Sequence, residues 1–196
     1  MPADGWFTCD DLEEAAELVT AAWRTGLDGD WSQPAGTVEW SCARTADHTI
    51  DSIHAVATFL ASRRQDGYPD WWPELTMGSD PRPEDLVDGL ATVVTILSGV
   101  IAITAPTERA VIWRWPRTEV RGPEDFAPRG ALELLLHGHD VATGLGVPLA
   151  PPAALCRRLL DHTTGWPHWN APGWTAPRPS DDPWAELLRA SGRGEI

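Results

Sequence analysis

Lysine is absent from this chain of 196 residues, and all 15 basic side chains are arginine against 29 aspartates and glutamates. The formal charge is therefore −14, and the arginines gather into no basic run, which argues against a polyanion and so against nucleic acid as a partner. Cysteine is scarce as well. The three residues, Cys9, Cys42 and Cys156, form no C-x-x-C pair, so neither a disulfide framework nor a zinc ribbon is expected, and a reducing cytoplasmic setting fits. The N-terminal residues 1–8 lack a basic segment followed by an apolar one, so no secretory or transit signal is expected. The one long uncharged stretch, residues 89–105, falls short of the roughly 20 apolar residues of a membrane span and is read as a buried helix, with no membrane partner. P-loop, G-x-G-x-x-G, G-x-S-x-G and H-E-x-x-H motifs are all missing, which excludes the usual nucleotide-binding, hydrolase-elbow and zincin readings.

What is present reads as helices. Thr8 and Asp11 have the spacing of a capping box, with Phe7 placed to staple onto Leu12, and Leu12, Ala15, Ala16, Val19, Ala22 and Trp23 then recur at helical period up to Gly26. Ser41 is a second cap, for a helix to about Arg64 with Ile50, Ile53, Ala57 and Leu60 inward. Residues 65–83, rich in proline, glycine and tryptophan, read as a long link between helices that are not antiparallel neighbours. A third helix is expected over about 84–104, weak alternation over 111–115 suggests an extended segment, and a fourth helix starts at Gly122-Pro123-Glu124 and ends by Gly146. A short fifth helix, 153–162, precedes a Trp/Pro-rich tail expected to wrap the bundle. The expectation is one all-α domain over residues 1–196: a four-helix bundle with a long helix 2 to 3 crossover, a short fifth helix and an ordered tail.

The polar groups that stand out lie inside the strongly apolar fourth helix. At about 100° per residue Glu133, His137 and Asp140 fall within about 60° of one another, so Glu133 and His137 can reach one ion from adjacent turns. His48 on helix 2 is the candidate third ligand of an open, three-residue zinc site. The bland alternative is a buried hydrogen-bonded pair without metal. His54, about 120° round the helix from His48, is not expected to share its ion. Asp51 and Ser52, close to His48, and Asp140, as a carboxylate orienting His137, are the candidate supporting and pocket residues.

Trp40-Ser41 followed by His48 resembles the W-[ST]-x6-H opening of helix 2 in the DinB/YfiT-like metalloenzymes, specifically the N-terminal domain of mycothiol-dependent maleylpyruvate isomerases. Glu133-x3-His137-x2-Asp140, then Ala142 and Leu145-Gly146, is similar to the family's helix 4. The C-terminal run from Trp184 through Leu187-Leu188 to Ser191-Gly192-Arg193 is similar to its W-x-x-L-L-x-x-[ST]-G-R finish. The resemblance implies a divalent metal, usually zinc, on His48, Glu133 and His137, and mycothiol as cosubstrate for isomerisation or transfer on a small electrophile. The arginine-only, alanine- and proline-rich composition is compatible with an actinobacterial host. Those isomerases carry a further C-terminal domain, whereas this sequence ends soon after Arg193, so maleylpyruvate itself is not the expected substrate. A metal-assisted hydrolase and a non-catalytic binding module of the same fold are the competing readings.

Three further features carry weaker expectations. Cys9 and Cys42 sit at helix starts, where the dipole lowers a thiol pKa, but plain small buried residues are the favoured reading. His162 and His168 flank the tail, as surface histidines or as candidates for a fourth ligand. The tail tryptophans Trp166, Trp169, Trp174 and Trp184 are expected to glue the tail to the bundle or to lid the metal.

Overall fold

In a computed structural model, residues 5–69, 71, 74–113 and 117–194 are described. Among the described residues six helices, α1 (Cys9–Thr25), α2 (Cys42–Ser62), α3 (Pro83–Ile103), α4 (Phe126–Gly144), α5 (Ala153–Thr163) and α6 (Pro183–Ala190), hold about half of the chain, with one hairpin of β1 (Ala110–Trp113) and β2 (Glu119–Arg121). The capping box forms: Thr8 Oγ1 accepts from the Asp11 amide and the Asp11 carboxylate accepts from the Thr8 amide at 2.8 Å. Phe7 and Leu12 are both buried beneath it. Ser41 caps α2 through the Arg44 amide at 3.2 Å.

The four long helices pack in a ring, with α1 against α3 and α4, and α2 against α3 and α4, so α1 and α2 face each other across the diagonal. One cluster of buried residues spans all four, including Leu12, Trp23, Ile50, Leu60, Leu90 and Leu135. The long crossover joins α2 and α3, which pack directly against each other, and it lays residues 74–78 along α2. There Asp51 accepts from the Leu75 amide at 2.8 Å and Asp47 from the Met77 amide at 2.7 Å.

By length and composition α3 is apolar enough to cross a membrane, with a hydropathy of 2.2. It buries Leu86, Val87, Leu90, Val93, Val94 and Leu97 in the bundle and leaves Ile96 and Ile103 exposed. Two elements differ from the sequence expectation. The extended segment is one arm of an antiparallel hairpin, Ala110 opposite Arg121 and Val111 opposite Val120, while Trp115 lies outside the described residues. The tail contains an eight-residue helix, α6, started by Asp182 through the Ala185 amide at 3.0 Å with Pro183 in its first turn.

Close approach of α1 to α4 depends on Gly138, where a Cβ would lie 2.7 Å from Val19 Cγ2 and the indole N–H of Trp23 reaches the Gly138 carbonyl at 3.4 Å. Gly138→Ala is expected to cost about 1–2 kcal/mol, because the steric cost exceeds alanine's better helix propensity. Calorimetry should read a fall of roughly 2–8 °C in Tm. An unchanged or raised Tm would show that the two helices have slack here.

Candidate metal centre

Helices α2 and α4 bring His48, Glu133 and His137 to one place, half-buried, with one ligand atom from each lying within 4.8 Å of the others. Among the described residues no other group of three histidines, cysteines or carboxylates converges in this way. The rings of His48 and His137 meet edge to face at 5.2 Å, and His48 is braced from the other side by Trp40 at 5.0 Å. Ser52 Oγ lies 3.4 Å from His48 Nε2.

The side of His137 away from the site is held rigidly. Its Nδ1 meets Asp140 Oδ2 at 3.1 Å, and Asp140 is buried, its side chain 1% exposed. Arg193 closes on the same carboxylate, with Nε at 2.9 Å from Oδ1 and Nη2 at 2.8 Å from Oδ2. A carboxylate on Nδ1 fixes the ring orientation and leaves Nε2 facing Glu133, whose Oε2 lies 3.5 Å away. The other oxygen of Glu133, Oε1, is taken by Arg129 one turn back. Asp140 therefore acts through His137, Asp51 lines the cavity beside His48 while tying down the crossover, and Ser52 supports His48.

Burial opposes the charge on Glu133, but Arg129 and His137 outweigh it and hold the carboxyl well below its usual value. Burial likewise opposes protonation of His137, and the hydrogen bonds to Asp140 and Glu133 override it, pushing the imidazole up to about 9. His48 moves the other way, lowered by burial and by the neighbouring His137. A metal must displace the proton of His137, so zinc uptake at pH 7 is expected to release a proton, and affinity to rise about tenfold per pH unit towards pH 9. Competition with a chromophoric chelator between about pH 6 and 8 checks this, and a flat profile would contradict it.

Two cavities flank the triad. On the α2 side a space of about 310 Å³ is walled by Trp40, Arg44, His48, Asp51 and Glu74. On the tail side His168, Trp174 and Arg193 close over Glu133 and His137, leaving about 40 Å³, room for a few waters.

His168 lies beside the triad without joining it. Its ring is enclosed by Trp113, Trp166, Trp169 and Trp174, both ring nitrogens are buried without a hydrogen bond, and burial followed by the Arg129 charge pushes it down to about 3. His162 is engaged with Asp125 at 2.8 Å, so neither tail histidine belongs to the converging set.

The helix-start cysteines are not activated. Burial raises Cys9, and it pushes Cys42 up to about 11 and Cys156 to about 12, because desolvation of the thiolate exceeds any favourable helix-end potential. Arg193 and Arg129 were not singled out from the sequence as site residues. Arg129 had a readable signal, since it stands four residues before Glu133 on one helix face. Arg193 had only its place in the C-terminal motif. Comparison of the chain with protein-family models, with curated proteins and with solved structures finds no match in any of the three.

Proposed function

We propose that this chain is a cytosolic zinc-dependent transferase or isomerase on a DinB-like bundle, using a low-molecular-weight thiol, mycothiol in a host that makes it, against a small electrophile. The observation that carries the reading is the convergence of His48, Glu133 and His137, with His48 also walling a cavity of about 310 Å³. The donor set fits the ion: two imidazoles and a carboxylate, with one imidazole already backed by a buried carboxylate. The motif resemblance on helices 2 and 4 supports the thiol over other partners. The charge of −14 favours neither nucleic acid nor an anionic membrane surface.

His48, Glu133 and His137 would hold the zinc, which when bound would lower the pKa of a thiol or water so that the nucleophile would be an anion at neutral pH. The chain's own residues orient and enclose. Asp140 and Arg193 fix the rotation of His137, Arg129 holds one oxygen of Glu133 so that Oε2 faces the imidazoles, and Trp40 presses on His48. With the tail side sealed by Trp174 and His168, cosubstrate and electrophile enter from the α2 side, past Trp40, Arg44 and Glu74.

Cobalt-loaded protein titrated with mycothiol should develop a sulfur-to-metal charge-transfer band, with glutathione as control, followed by a screen of cis-enones, epoxides and activated sugars. Absence of any thiol response together with turnover of an ester or amide would assign hydrolysis instead. Silence in both assays would leave a binding module.

A further inference from the structure

A second cleft lies away from the metal centre and shares no lining residue with either cavity there. It measures about 730 Å³, within the usual range for small-molecule sites, and is formed where the chain before α1, the 3₁₀ turn ahead of α4 and the end of α5 meet. Its base is His162, with a side chain only 3% exposed, anchored through Nε2 to Asp125 Oδ1 at 2.8 Å while Nδ1 is buried without a hydrogen bond. Two indoles pack edge-on against that imidazole: Trp6 at 4.9 Å and Trp166 at 6.0 Å. Trp166 is buried, whereas Trp6 is 47% exposed, an unusual position for so large an apolar ring.

The charges around these rings do not balance. Arg121 is the cleft's one guanidinium; it is shared between Asp125 at 3.7 Å and Glu119 at 3.5 Å and lies over the Trp166 ring at 5.9 Å, which leaves Trp6 as the ring open to a ligand. Asp125 is further engaged by His162. Glu124 and Asp161 remain, both exposed carboxylates at the cleft, and neither has an ion pair or side-chain hydrogen bond with any described residue. The exposed Trp6 ring beside unpaired carboxylates suits a cation, and the overall charge of −14 adds to the attraction. A bare metal ion does not fit, because the carboxylates and imidazole here do not form a converging ligand set as they do at His48, Glu133 and His137.

We propose that this cleft is a second binding site, for a small organic ammonium ion, with the exposed ring of Trp6 contacting the cationic head and Glu124 and Asp161 supplying the compensating charge. The site does not depend on the metal or on the thiol chemistry.

Calorimetric titration of the full chain with choline, ethanolamine and the neutral choline isostere 3,3-dimethylbutan-1-ol tests it. One equivalent of at least one ammonium ion should bind, at least about tenfold tighter than the neutral alcohol. Trp6→Ala and Glu124→Gln should each weaken that binding about three- to tenfold, and Trp6→Phe should restore most of it, separating a lost ring from a lost fold. Equal binding of the neutral alcohol, no saturation by about 10 mM of either ammonium ion, variants that bind like the parent, or displacement of choline by an equivalent of magnesium would each overturn the proposal.

Discussion

His137→Ala is expected to weaken zinc binding by on the order of 10²–10³-fold while leaving the fold nearly intact. The size follows from removing one of three protein donors, and the selectivity from what each neighbour keeps. Glu133 retains Arg129, and Asp140 retains the Arg193 fork, so neither carboxylate is left buried without a cation. Circular dichroism and Tm should therefore stay close to the parent while chelator competition reads the affinity loss. His48→Ala should lose affinity to a similar extent, because its ring faces His137 from the other helix and nothing within α4 replaces it. Affinity preserved in both variants would place the ion elsewhere.

Arg193→Ala carries the second large effect, and it acts at a distance along the chain. The guanidinium makes three hydrogen bonds to a carboxylate that is 1% exposed, and alanine leaves Asp140 buried with His137 alone. Stripping one partner from a buried ion pair costs about 3–5 kcal/mol, which corresponds to a fall in Tm of roughly 6–20 °C. His137 also loses the clamp on its orienting carboxylate, so zinc affinity should drop by about tenfold or more. Arg193→Lys keeps the charge without the fork and should recover part of the Tm but less of the metal affinity. If Arg193→Ala melts like the parent and binds zinc like it, the C-terminus has no part in holding His137.

Local signals in the sequence carried far. The Thr8 and Asp11 capping box, the Ser41 cap and the stops near Gly26 and Gly146 depend on residues within one helical turn, and they place α1, α2 and the end of α4 to within about two residues, whereas Pro123 opens a 3₁₀ turn three residues ahead of α4. Glu133 and His137 share a face because of helix geometry alone. His48 required pairing two helices, which spacing does not encode, so its assignment leaned on the motif around Trp40.

Long-range features were not legible for the same reason. Arg193 reaches Asp140 across 53 positions, and Asp47 and Asp51 bond to amides 30 and 24 positions on. No periodicity carries such contacts. Helix α6 was hidden by its eight residues and its proline-rich approach, too short for a periodic stripe to stand out. The hairpin partner β2 has only three residues. Cys42 is the small buried residue the sequence favours over an activated thiol; the rise in its pKa is not legible there, because its desolvation depends on α4 and the loop at Pro34 closing over it.

X-ray absorption at the zinc edge, recorded on the zinc-loaded protein before and after adding mycothiol, tests the centre most directly. Without thiol the first shell should contain only nitrogen and oxygen at about 2.0–2.1 Å, with outer-shell scattering from two imidazoles, and with thiol one sulfur should enter at about 2.3 Å. A protein that takes up no zinc, or a sulfur scatterer already present before thiol is added, would contradict a centre built from His48, Glu133 and His137 with one position left open.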